Sequence, residues 1–225
     1  MDSLPFPLAY TMLPIDRFCL SLPPASAFQY MGRECFSELW KHIQSMRIGG
    51  KYSKLYFHGT MGNGKSHILA ALACLLSRLD RRPVYLADCR QALAEPLSYI
   101  QSALLCAFAD PESSSIRDEI RSLESTDDVL DFCNGLVNVQ LFFIVDQKNA
   151  FEHEDTNRDT IPNSDKDALA KLIRRMAICH YSVSCASTNY ETAMHMAKKQ
   201  TSELKMSMMG GLSKVSLSLI SLIRF

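Results

Sequence analysis

The chain has 225 residues, 47% hydrophobic and 21% charged, enough apolar material for one large domain with a sizeable core. Twenty-four basic residues balance 24 acidic ones, so the chain carries no strong nucleic-acid signal of the kind a basic binding domain shows. No run reaches the ~20 apolar residues that span a bilayer, and Met1-Asp2-Ser3-Leu4-Pro5-Phe6-Pro7 lacks the basic-then-apolar order of a signal peptide; the expectation is an intracellular protein, cytoplasmic or nuclear, with no membrane partner.

In chain order, residues 1–28 carry Pro5, Pro7, Pro14, Pro23 and Pro24 and read as an extended arm. From Ala27 to Met46 the pattern is helical, with Phe36, Leu39, Trp40 and Ile43 on one face and Gly49-Gly50 as the stop. Lys54-Leu55-Tyr56-Phe57-His58 reads as a strand before a glycine-rich turn. Lys65 to Leu79 follows as a helix, and Pro83 to Ala87 as a second strand. Residues 96–108 form a helix with proline in its first turn. The acidic, serine-rich stretch 110–128 is expected to be a loop holding a short helix, with Ser125-Thr126-Asp127-Asp128 starting the next helix at 127–134.

Leu141-Phe142-Phe143-Ile144-Val145 is a continuous apolar run, as suits a strand buried on both faces. It is followed by a polar loop at 147–163, a helix at 164–179 and a strand at Ser182 to Ser187. A helix from Asn189 to Lys199 and a fifth strand from Leu204 to Met209 complete the series. Strands alternating with helices imply a three-layer αβα fold with a mostly parallel sheet. Eight scattered cysteines, without any C-x-x-C pair, read as reduced, mostly buried thiols.

The segment Gly59-Thr60-Met61-Gly62-Asn63-Gly64-Lys65-Ser66 matches the phosphate-loop pattern G-x-x-x-x-G-K-[ST] in full. Glycines permit close backbone approach, consecutive N–H groups form a nest for phosphate oxygens, and the helix N-terminus aims positive charge at the same point. In that reading Lys65 reaches the β- and γ-phosphates, Ser66 ligates magnesium, and His67 continues the nucleotide-binding set. A chain of this length meets the pattern by chance about one time in a hundred, and the flanking strand and helix strengthen it.

Asp146, at the end of the apolar run, suits the metal-positioning acid of such a site; the alternative is an aspartate closing a strand. Gln147 stands where many such ATPases carry a water-activating glutamate, and an amide is a poor general base. Glu152 and Glu154 could substitute, although a solvated acidic loop accounts for them better. Asn189, beyond the strand 182–187, could contact the γ-phosphate or attacking water, or cap a helix. Lys65, Asp146, Gln147 and Asn189 are therefore the catalytic candidates, with ATP and Mg2+ as the implied ligands. Arg174 or Arg175 could act across a subunit interface, although solvated helix faces explain both.

Across roughly residues 30–209 these features resemble P-loop ATPases with an additional strand between the two phosphate-site strands, the AAA-like and STAND-like group. YFHGTMGNGKSHILAALACLLSRL, VYLADCR, YIQSALLCAFADP and FFIVDQKNA are similar to the ATPase region of fungal Crinkler-like proteins. The resemblance implies an effector-like or mobile-element-associated ATPase, often joined to a C-terminal effector domain, with a strand-end Asn or Thr in the place of Asn189. The domain reading is an arm at 1–28, the nucleotide-binding domain at 29–209 and a tail at 210–225. The tail LSKVSLSLISLIRF, with Arg224 its sole arginine, offers no helical lid and reads as an edge strand, a disordered end or a truncated gene product. Its shortness leaves hydrolysis less supported than binding. A non-hydrolysing switch or scaffold and, less well supported, a small-molecule kinase are the alternatives. The partner, a protein or a second copy of the chain, is left open.

Overall fold

The period-2 geometry of a strand sends alternate side chains to opposite faces, and here that alternation divides the interior into two cores. The computed structural model describes residues 2–5, 27–30, 32–49, 52–153, 161–187 and 203–208. Five parallel strands form one sheet in the order β4-β5-β6-β3-β7: β3 (Lys54–Gly59), β4 (Arg82–Leu86), β5 (Leu141–Val145), β6 (Tyr181–Ser187) and β7 (Leu204–Met208). All five residues of β5 are buried, as its unbroken apolar run requires of an inner parallel strand.

On one face Leu55, Phe57, Tyr85, Phe142, Ile144, Val183, Cys185, Met206 and Met208 pack with α1 (Glu34–Ser45) and α2 (Lys65–Arg78). Helix α2 is buried without interruption from Ile68 to Leu76, where it packs on β4 of the sheet and also meets the segment Asp2–Pro5. On the other face Val84, Leu86, Leu141, Phe143 and Val145 meet α3 (Cys89–Ala94), α4 (Pro96–Ala107), α5 (Ser114–Ser122), α6 (Thr126–Gly135) and α7 (Asn163–Met176). Helices on both faces of a parallel sheet make three layers. Each fully buried Phe or Leu contributes about 1.5–3 kcal/mol relative to exposure.

Local chemistry sets the helix ends. Pro96 occupies the first turn of α4, where its missing N–H costs nothing. Ser125 and Asp128 form a capping box at α6: Asp128 N–H donates to Ser125 Oγ at 3.1 Å, and Ser125 N–H donates to Asp128 Oδ2 at 2.8 Å. The buried His180 joins α6 to β5, accepting at Nδ1 from Leu141 N–H at 3.3 Å and meeting the Cys133 carbonyl with Nε2 at 2.9 Å. That pairing fits the neutral tautomer protonated at Nε2.

Several sequence expectations are corrected. The helix expected over 27–46 begins only at Glu34, because Ala27–Tyr30 is a strand, β2, paired antiparallel with β1 (Asp2–Pro5). Part of the supposed arm thus forms a two-stranded ribbon outside the parallel sheet. Helix α1 ends at Ser45, ahead of Gly49, whose φ of 72° belongs to a separate turn. Helix α3 was not expected; Asp88 caps it, accepting Arg90 N–H at 3.0 Å. The short helix expected within 110–128 is α5, nine residues long and preceded by a 3-10 turn. The expected helix 189–199 and the tail 210–225 lie outside the described residues. No helix among the described residues is long and apolar enough to cross a membrane.

Candidate functional site

Strand β3 runs straight into the turn Gly59–Ser66, and α2 begins at Lys65. Glycine is required at the strand's last residue by contact: a Cβ on Gly59 would lie 2.6 Å from the Met208 carbonyl oxygen of β7. Gly62 and Gly64 adopt left-handed φ values of 82° and 75°, which side-chain-bearing residues adopt only at a cost. Gly64 is the N-cap of α2 and supplies no side-chain cap to the helix. The first amides of α2 therefore form a donor surface at the positive end of the helix dipole.

Asn63 holds the turn from inside, its Nδ2 donating to Thr60 Oγ1 at 2.8 Å and to the Met208 carbonyl at 3.4 Å. Arg33, just before α1, donates from Nη1 to the Asn63 carbonyl, and its guanidinium fills the space beside the Gly64 Cα. Thr60 and Met61 form the outer tip, Met61 being 81% exposed. Ser66 and His67 are half-buried in the first turn of α2, and the Ser66 carbonyl accepts from the Tyr85 hydroxyl at 3.4 Å.

Lys65 is buried, and its Nζ donates to the carbonyls of Gly59 at 2.9 Å and Thr60 at 2.6 Å. Burial lowers its pKa, while interaction with Cys185 and Asp146 acts in the opposite direction. The ammonium thus lies folded over the turn, within electrostatic reach of a carboxylate from another strand. Asp146 follows β5 and is buried. Because β6 lies between β3 and β5, the strand ends carrying the turn and the acid are separated by roughly 10 Å, two strand spacings. Asp146 N–H donates to the Leu86 carbonyl at 2.8 Å, and Oδ1 accepts from Gln147 N–H at 2.8 Å.

Gln147 is buried and left-handed, with φ 57°. Its Oε1 accepts from Arg90 Nε at 3.1 Å and Nη2 at 2.8 Å. Arg90 is anchored in turn by Asp88 Oδ1 at 3.4 Å. The amide is therefore engaged with the segment that follows β4. Glu152 is half-buried, and its carbonyl accepts from Lys166 Nζ at 3.2 Å. Glu154 and Asn189 lie outside the described residues.

The structure brings the turn, Lys65, Ser66, His67 and Asp146 to the C-terminal ends of β3 and β5, the edge where open α/β sheets bind ligands. Two contributors were missed in the sequence, Arg33 and Arg90. Each stands beside a helix start, in Gly32-Arg33-Glu34 and Asp88-Cys89-Arg90, where a solvated cation is the ordinary expectation. Only the folded contacts distinguish them from that.

No family model matches this chain, and no curated protein does. Among solved structures, a similar chain comes from the E. coli MS115-1 HORMA:CdnC:Trip13 complex, with a TM-score of 0.34 and 12% sequence identity. The likeness covers 76% of this chain and 57% of that one, so this chain spans little more than half its neighbour's length.

Proposed function

We propose that this chain binds ATP with magnesium at Gly59–Ser66 and hydrolyses it, driving a conformational change in a protein partner or in an assembly of its own copies. One observation carries the reading. The glycine-shaped turn at the start of α2 presents the helix's first amides and the Lys65 ammonium, while the buried Asp146 stands two strands away.

The residues fit the proposed ligands. Left-handed Gly62 and Gly64 keep Cβ atoms away from a phosphate, and the backbone amides offer donors to its oxygens. Lys65 and Arg33 add two positive charges at the turn. Ser66 and Asp146 would hold the magnesium ion together with phosphate oxygens; when bound, the ion neutralises charge developing on the phosphates. The sheet order, with β6 between the two strands, agrees with the additional-strand ATPases that the sequence resembles.

A second reading, a nucleotide-binding switch that hydrolyses slowly or not at all, is favoured by Gln147. Its side-chain oxygen is occupied by Arg90, and an amide lacks the basicity to activate water. ATP binding and turnover by the purified chain, with and without magnesium, separates the readings. Magnesium-dependent turnover supports the ATPase, and tight binding without turnover supports the switch. Lys65→Ala is expected to abolish binding in either case; unchanged ATP affinity in that variant would overturn the site.

A further inference from the structure

We propose that the opposite face of the sheet carries a second anion site: a cleft lined by Lys54, Lys148, Arg174, Ser182 and Ser184 that takes a phosphate-bearing small molecule. The cleft is a recess partly open to solvent. Strand register explains how these groups converge. Lys54 of β3 pairs with Ser182 of β6, and Ser184 pairs with Val145 of β5, so they share one face. Arg174 comes from α7 and Lys148 from the 3-10 turn Lys148–Phe151 after β5.

Three cations face this space, and among the described residues Glu203 is the one acidic side chain lining it. The count leaves two net positive charges around a small concavity, and a cleft walled by one sign of charge focuses its field. Lys148 is held in place by its position over the Tyr56 ring, 5.4 Å from the centroid. Two hydroxyls and three cationic donors exceed what one carboxylate can accept but suit the several oxygens of a phosphate. Val145, Phe151 and Ile173 supply an apolar wall for the rest of the molecule.

The cleft is separate from the Gly59–Ser66 turn. Lys54 and Gly59 are opposite ends of β3, roughly 16 Å apart at strand rise, and α2 packs on the other face of the sheet.

The test is calorimetric titration with inorganic phosphate at constant ionic strength, using Lys65→Ala as the parent so that the turn does not contribute. The parent is expected to bind phosphate, and either Arg174→Gln or Lys54→Gln in that parent should weaken binding by about tenfold or more. Arg174 is exposed and Lys54 half-buried, so both variants should retain the parent's melting temperature. Absence of phosphate binding in the parent, or binding that neither substitution changes, overturns the proposal. Because every comparison lies within the Lys65→Ala parent, the outcome stands apart from whether ATP binds at the turn.

Discussion

Gly62 and Gly64 have nearly the same backbone conformation and very different surroundings. An added Cβ on Gly62 meets nothing within 4 Å, whereas on Gly64 it would lie 2.7 Å from Arg33 Nη2. Gly62→Ala should therefore cost only the left-handed penalty, about 1–2 kcal/mol. Gly64→Ala should cost the same penalty and also displace the Arg33 guanidinium, weakening the proposed ATP binding further. Denaturant midpoints and ATP titration of the two variants check this; equal losses would remove Arg33 from the site. The glycine pattern was legible in the sequence because the turn's backbone geometry selects glycine, and Lys65 because it completes the phosphate-loop pattern. The engagement of Gln147 by Arg90 was not, because it joins positions 57 residues apart and depends on β4 lying beside β5. Arg33 was hidden for the same reason, since its partner Asn63 is 30 residues away.

Among the elements, the junction of β4 with α4 gives a pH-dependent prediction. Arg82, at the start of β4, pairs with Asp110 and donates to the Ala107 carbonyl at 3.1 Å at the end of α4. The Arg82 hydrogen bond, followed by that of Ser113, holds the Asp110 carboxyl down at about 2 against some desolvation. A carboxylate whose folded pKa is depressed stabilises the fold above its unfolded value, about 3.9, and that contribution is lost as pH falls through the folded value. Wild type should thus lose stability relative to Asp110→Asn between about pH 4 and about pH 2, with the gap closed below that window. Urea midpoints across the range measure it; a constant gap would mean that the pair contributes nothing. Helices α2, α4, α6 and α7 were legible from apolar spacing and caps. Strand β2 was not, because its pairing with Asp2–Pro5 is non-local and a window around Ala27–Tyr30 contains nothing of the partner. Helix α3 escaped because six residues are too few to show a period.

For the whole molecule, the two cores predict thiol reactivity. Cys179 is exposed, whereas Cys74 and Cys133 lie in opposite cores with thiols pushed up to about 12 by burial. Since the thiolate is the reactive form, a disulfide reagent at neutral pH should modify Cys179 quickly and reach Cys74 and Cys133 only in denaturant. Mass spectrometry of the modified peptides tests it, and early labelling of Cys74 would contradict the placement of α2. The alternation of helices and strands carried the parallel three-layer architecture. It carried no strand order, because β6 enters between β3 and β5 only through the long path of the chain.

The grip of Met208 on the turn has a consequence for how the chain comes into being. Its carbonyl abuts Gly59 and receives Asn63 from 145 residues earlier. Contacts that distant form late. During synthesis the glycine turn leaves the ribosome long before the edge strand that shapes it. The nascent chain therefore passes through a stage in which most of the sheet can assemble while the turn still lacks its final brace, which arrives only with β7.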